Sequence, residues 1–221
     1  MKIAAIGDIH GNHYALEACL EQIEKLHIQT IAFLGDYITD CPCPEKTIAL
    51  LRQAQERYQT YFVRGNREDY MLSHHDDPND GWTYGSRYGS LLYTYERLTE
   101  EDLAWFRSMP ESMQVQIDEA ERFEICHGSM KTNRYMLLPG SSEWETTLES
   151  NENGSVAVRS FPPVLYSRGS WKMDRERWVC RGECTGSNRR RFCRDRIFRK
   201  SVDPTADPCS IRYGQRDKGV L

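Results

Sequence analysis

The segment KIAAIGDIHGN, residues 2–12, followed at once by HYALEACLEQIEKL, residues 13–26, sets the frame for the rest of the chain. Its apolar run stops at Gly7, and Leu16, Leu20, Ile23 and Leu26 then recur at helical spacing, which predicts a strand, a turn and a helix. The turn carries Asp8 and His10.

The same order returns twice. TIAFLGD (30–36) reads as a second buried strand and CPEKTIALLRQAQERY (43–58) as a second helix, with DCPCPE (40–45) as the loop between them. TYFVRGN (60–66) is a third strand, and REDYMLSHH (67–75) is compatible with a helix. Strands alternating with helices imply a parallel sheet with right-handed crossovers, hence an α/β fold. Farther on, LTEEDLAWFRSM (98–109) opens with a capping box, Thr99 with Asp102 three residues later. SMQVQID (112–118) and RFEICHG (122–128) flank a turn-like DEAE as a hairpin.

Each strand ends in polar residues: Asp8 and His10, then Asp36, Asn66 and His127. The carboxyl ends of parallel strands share one rim of a sheet, the edge on which open α/β folds bind ligands. One Gly-Asp pair is usually a turn and one histidine usually a satisfied polar group. Two carboxylates, two imidazoles and an amide oxygen at successive strand ends are harder to explain that way, and they suit Mn, Fe, Zn or Ni.

Charge divides the chain. Of its 221 residues, 1–150 hold 13 Lys and Arg against 25 Asp and Glu, whereas 151–221 hold 16 against 8, which together give the net −4. With 39% hydrophobic residues the chain can bury one core. The apolar run at the N-terminus is too short for a signal peptide, so a cytoplasmic location and eight reduced cysteines are expected. Two domains follow from the division: 1–150, and a basic, Arg- and Cys-rich tail, 151–221.

GDIHGN, GDY, GNRE and CHGS, in this order, resemble the calcineurin-like metallophosphoesterases, whose pattern is GDxHG, GDxxD, GNH[DE], GH and GHxH. The likeness covers roughly the first 130 to 150 residues. It implies a sandwich of two sheets flanked by helices and a site for two divalent metal ions, Mn first among them. Asp8 and His10 would hold one ion, Asn66 and His127 the other, with Asp36 bridging. Two cations about 3.5–4 Å apart can clamp a hydroxide and the phosphoryl oxygens of an in-line displacement. The implied activity is hydrolysis of phosphodiesters or phosphoanhydrides, with Asp36, Asn66 and Arg67 as catalytic residues. The implied substrate is a small phosphate ester or nucleotide.

Two departures stand out. Arg67 occupies the position of the family's GNH histidine and cannot donate a proton near neutral pH, although it can offset phosphate charge. No GHxH follows His127. Read one base later, however, RSFPP (159–163) permits Gly-His-Ser-His. In the same offset KMDRE (172–176) permits Lys-Trp-Ile-Val-Asn or its Arg-led counterpart, and RFCRDRIF (191–198) an apolar strand. A frameshift near residues 151–158 is the expectation, with irregular backbone from about residue 155 onward and impaired metal binding.

Other readings of the tail are weaker. Basic, aromatic-interleaved segments can bind phosphate backbones, but charge runs are weakly specific, and nucleic acid is not the expected partner. A catalytically inactive phosphoesterase-like binding protein using that tail is the alternative function. Cys180, Cys184, Cys193 and Cys209 lack the paired spacing of a zinc knuckle. His74, His75, Asp76 and Asp77 read as a solvated polar loop running to Gly81 rather than as ligands. Arg64 and Asn12, beside the motifs, are positioned to touch a substrate phosphate.

Overall fold

The computed structural model describes residues 3–116, 122–129, 132–134 and 142, together with the backbone of three later strands. The described elements run β1 (Ile3–Gly7), α1 (His13–Lys25), β2 (Thr30–Phe33), α2 (Pro44–Arg57), β3 (Gln59–Phe62), α3 (Asn66–Asp76), α4 (Gly89–Tyr95), α5 (Glu100–Ser108), β4 (Ser112–Gln116), β5 (Arg122–Cys126), β6 (Ser155–Val158), β7 (Val164–Ser167) and β8 (Trp178–Arg181).

Two four-stranded sheets result, ordered β3-β2-β1-β8 and β4-β5-β6-β7. All pairs of the first sheet are parallel, with Ile3 beside Thr30 and Ala4 beside Trp178. In the second, β4 and β5 form the expected antiparallel hairpin, β5 and β6 are parallel, and β6 and β7 antiparallel.

Alternation along the first sheet explains the sandwich. On one face Ala4, Ile6, Ile31, Phe33 and Phe62 join Leu16 and Ile23 of α1, Ile48 and Leu51 of α2, Met71 of α3 and Phe106 of α5 in the larger core. The other face sends Ala32 and Leu34, with Ile3 and Ala5 beside them, against Val115, Phe123 and Ile125 of the second sheet. A sheet covered on both faces needs apolar residues at consecutive positions, which is why KIAAI and TIAFL show no alternation of polarity. The α/β architecture with two sheets and flanking helices is therefore as expected.

Local signals hold as well. Thr99 accepts from the Asp102 N–H while the Asp102 carboxylate accepts from the Thr99 N–H, the anticipated capping box. Asn12 caps α1, its side-chain oxygen accepting from the Ala15 N–H at 3.1 Å.

Three expectations are corrected here. Backbone pairing is present at β6, β7 and β8, where irregular chain was anticipated. The edges of β1 and β5 present unpaired N–H and C=O groups, which the short segments WVC of β8 and VAV of β6 satisfy without any longer periodicity, and VLY of β7 then pairs with β6. Their side chains, and the rest of 143–221, lie outside the described residues, so this pairing bears on the path of the chain and not on its reading frame. Cys19 and Cys41 each take part in a disulfide, against eight expected thiols, because folding brings sulfurs together that sequence spacing does not relate. Cys43 and Cys126 are free, and burial pushes the Cys126 thiol up to about 12.

The third correction concerns His74 and His75. Both lie in the last turn of α3 rather than in a loop. The His74 ring is buried, stacked on Trp82 with centroids 4.2 Å apart, edge-on to Tyr95, and 2.9 Å from Asp80 Oδ1 through Nδ1. His75 faces the Tyr95 hydroxyl at 3.0 Å. Aromatic neighbours recruited from the 82–95 segment cover what the polar sequence suggested was solvated surface.

Candidate metal centre

Loops after β1 and β2 are laced together before any side chain is considered. The N–H groups of Asp8, His10 and Gly11 donate to the carbonyls of Gly35, Asp36 and Tyr37 at 3.1, 2.9 and 2.8 Å. This extends the parallel pairing past the strands into the turns. Asp8, His10 and Asp36 adopt positive φ, at 54°, 50° and 55°. Asp and His visit this region more readily than most residues, and the cost of order 1–2 kcal/mol for each is typical of backbone held for function.

Gly35 has to be glycine. At its φ of 86° a Cβ would meet the Gly65 nitrogen at 2.6 Å and His127 Nδ1 at 2.8 Å. That close approach brings the chain around Asp36, the start of α3 and His127 into contact.

All five side chains anticipated at the rim come together. Oxygens or nitrogens of Asp8, Asp36 and His127 lie within 4.8 Å of one another, and all three residues are buried. His10 Nε2 is 3.8 Å from Asp8 Oδ1 and 3.7 Å from Asp36 Oδ2. His127 Nε2 is 3.3 Å from Asp36 Oδ2 and 3.2 Å from Asn66 Oδ1.

The imidazole tautomer follows from its other nitrogen. His127 Nδ1 is 2.6 Å from the Leu34 carbonyl, which can only accept, so Nδ1 carries a hydrogen, and in the neutral ring Nε2 turns its lone pair on Asp36 and Asn66. Lone pairs of a nitrogen, a carboxylate and an amide oxygen converging on one point repel unless a cation lies among them. The donor set and its orientation therefore fit a divalent metal ion.

Residues behind the rim hold it, and the sequence did not reveal their roles. Glu68, fully buried, accepts from the N–H groups of Asp36 at 2.9 Å and Gly65 at 2.9 Å through one oxygen, and of Tyr37 at 2.8 Å through the other. Burial, and then the neighbouring Asp36 carboxylate, raise its pKa to about 7, while the N–H groups it binds act in the opposite direction. The buried Tyr37 hydroxyl accepts from the Gly35 N–H and lies 2.6 Å from the Val63 carbonyl.

Asp40, also at positive φ, turns back toward the rim. Its Oδ2 is 3.2 Å from His10 Nδ1 and 3.3 Å from an Arg67 terminal nitrogen. Arg67 donates its backbone N–H to Asp36 Oδ1 at 2.9 Å, and its buried Nε has no hydrogen-bond partner among the described residues. Arg64 is engaged elsewhere: with the Asp69 carboxylate, with the Met109 carbonyl at 3.0 Å and with Glu111. Its expected contact with a phosphate gives way to a structural role, since its own backbone N–H also donates to Pro110.

Comparison with known proteins bears on this geometry. The model of the calcineurin-like phosphoesterase family matches residues 1–182. An uncharacterized protein of Methanocaldococcus jannaschii is 30% identical over 110 residues, which is 49% of this chain and only 42% of that relative's length. Among solved structures, a hypothetical protein from Pyrococcus horikoshii OT3 superposes with a TM-score of 0.62 at 23% identity, over 72% of this chain and 68% of that one. A metallophosphoesterase from Sphaerobacter thermophilus gives 0.55 at 23% identity, over 72% and 59% of the two chains. At that identity the likeness shows the fold alone. No helix among the described residues is long and apolar enough to cross a membrane.

Proposed function

The chain belongs to the calcineurin-like phosphoesterase family, and from that premise we propose that it is a hydrolase of phosphodiesters or phosphoanhydrides working with two divalent metal ions, of which Mn suits the ligands best. The observation that carries this reading is the convergence of His127 Nε2, Asn66 Oδ1 and both rim carboxylates on one point. Asp8, His10 and Asp36 would hold one ion, and Asp36, Asn66 and His127 the other.

Bound divalent cations supply Lewis acidity toward the phosphoryl oxygens and acidify water at neutral pH. The protein's own groups do the rest. Asp40 fixes His10 through Nδ1, and the Leu34 carbonyl fixes His127, so that each ring presents Nε2. Arg67, whose terminal nitrogen lies beside Asp40 at the rim, is placed to donate to a phosphoryl oxygen and offset developing negative charge. It cannot protonate a leaving group. Esters and anhydrides whose leaving groups depart unprotonated are therefore the preferred substrates. For aryl phosphodiesters, rates plotted against leaving-group pKa should fall steeply with this chain and more gently with Arg67→His; equal slopes would overturn the role given to Arg67.

We further propose that the tail, 151–221, is a frameshifted remainder of the same domain, the shift lying near residues 151–158, and that this chain binds metal poorly, lacking the imidazoles that GHxH would give each ion. The test compares this chain with a version whose frame is restored after about residue 155, measuring Mn affinity and bis(p-nitrophenyl) phosphate hydrolysis. Restoration should raise both by at least about tenfold. Equal values would mean that Asp8, His10, Asp36, Asn66 and His127 suffice. Hydrolysis by neither version would favour the alternative, an inactive binding protein.

A further inference from the structure

We propose that a cleft beside the rim is a subsite for a flat, uncharged aromatic ring carried by the leaving group, the nucleobase of a nucleoside or an aryl ring, which stacks on Tyr84; this rests on the phosphoesterase reading above. The cleft is a depression open to solvent, with a volume of about 400 Å³, lined by Asp40, Cys41, Pro42, Tyr84, Ser90 and Tyr93.

Asp40 joins the cleft to the rim. One of its oxygens faces His10 and Arg67, and the other accepts from the Ser90 hydroxyl at 3.4 Å. A phosphoryl group held beside Arg67 would thus direct its leaving group along the Asp40 wall into the cleft.

The two rings are held in position before any ligand arrives. Tyr84 is 62% exposed, yet its hydroxyl donates to Glu96. The Tyr93 hydroxyl donates to the Pro42 carbonyl at 3.0 Å, and the Arg97 guanidinium lies 3.4 Å from the Tyr93 ring centre. A large exposed ring tethered by its polar end is a stacking surface that loses little freedom on binding.

Stacking, not charge, selects the ring: the Asp40 carboxylate is already paired with Arg67, and the Arg97 guanidinium lies on Tyr93. The polar groups along the wall are already paired with one another, Ser90 with Asp40 and Tyr93 with Pro42. Few remain to read a base edge, so discrimination among bases will be slight and stacking will carry the affinity.

The experiment measures binding of adenosine monophosphate and of ribose 5-phosphate to the full chain by equilibrium dialysis with Mn present, and repeats it with Tyr84→Ala and Tyr84→Phe. The nucleotide should bind about tenfold more tightly than the sugar phosphate. Tyr84→Ala should abolish that preference without changing ribose 5-phosphate affinity, and Tyr84→Phe should keep it within about threefold. Equal affinities in the unaltered chain, a preference that survives Tyr84→Ala, or no nucleotide binding at millimolar concentration would each overturn the subsite. Because the ratio does not depend on turnover, a preference found in a chain that hydrolyses no phosphodiester supports the subsite and removes only the catalytic reading.

Discussion

Asp36→Asn is expected to weaken Mn binding by more than about 100-fold while leaving the fold intact. The two oxygens of Asp36 are divided between tasks: Oδ1 accepts the Arg67 N–H at 2.9 Å, and Oδ2 faces His127 Nε2 at 3.3 Å and His10 Nε2 at 3.7 Å. Asparagine can still accept from Arg67 through its one carbonyl oxygen. It then turns an NH2 group, with its positive edge, into the point where a cation would sit, and it removes a charge. Changes to groups that merely orient metal ligands cost about 10- to 100-fold in affinity, so loss of a shared carboxylate should exceed the upper end. Folding should not suffer, because the Asp36 charge is one of the causes that raise the Glu68 pKa and its removal relieves that repulsion. Mn titration together with circular dichroism checks both halves; affinity within tenfold of the unaltered chain would remove Asp36 from the centre.

Glu68→Ala should do the reverse, damaging the fold first and the metal site in consequence. The N–H groups of Asp36, Tyr37 and Gly65 would each lose a buried acceptor. Leaving a buried donor unmade costs about 1–3 kcal/mol, so a loss of about 3 kcal/mol or more is expected. For a chain of this size that corresponds to a fall in Tm of about 6–12 °C. Thermal denaturation of metal-free protein is the appropriate measurement, since bound metal would mask the difference. A fall of less than about 2 °C would mean that water or a rearranged turn replaces the carboxylate.

These two residues mark where sequence was legible and where it was not. Asp36 announced itself because a strand must end somewhere, and a polar residue after TIAFLG falls on the rim whatever the details of the turn. The same holds for Asp8, His10, Asn66 and His127, each fixed by the end of an apolar run. Glu68 stands in the quoted GNRE, but two of its three partners are backbone groups more than thirty positions earlier in the chain, and backbone groups leave no trace in composition. Asp40 was hidden for a different reason: only the positive φ at Thr39 and Asp40 turns its side chain back toward His10.

Periodicity misled at both ends of its range. The polarity of SHHDDPNDG suggested solvated loop, whereas Trp82 and Tyr95 cover His74 from a segment with no regular pattern. Beyond residue 150 the reverse occurred. Four-residue strands are too short to show a period, while the open edges of β1 and β5 accept them by backbone pairing.

The position of β8 beside β1 has a consequence during synthesis. Gly7 at the end of β1 precedes Trp178 by 171 residues, yet the two strands are neighbours in the sheet. At translation rates of about 5–20 residues per second, the first strand emerges from the ribosome some 9–34 s before its outer neighbour exists. Through that interval the nascent chain carries an apolar, unpaired strand edge, so its survival depends on what shields it on the ribosome as well as on the stability it finally reaches.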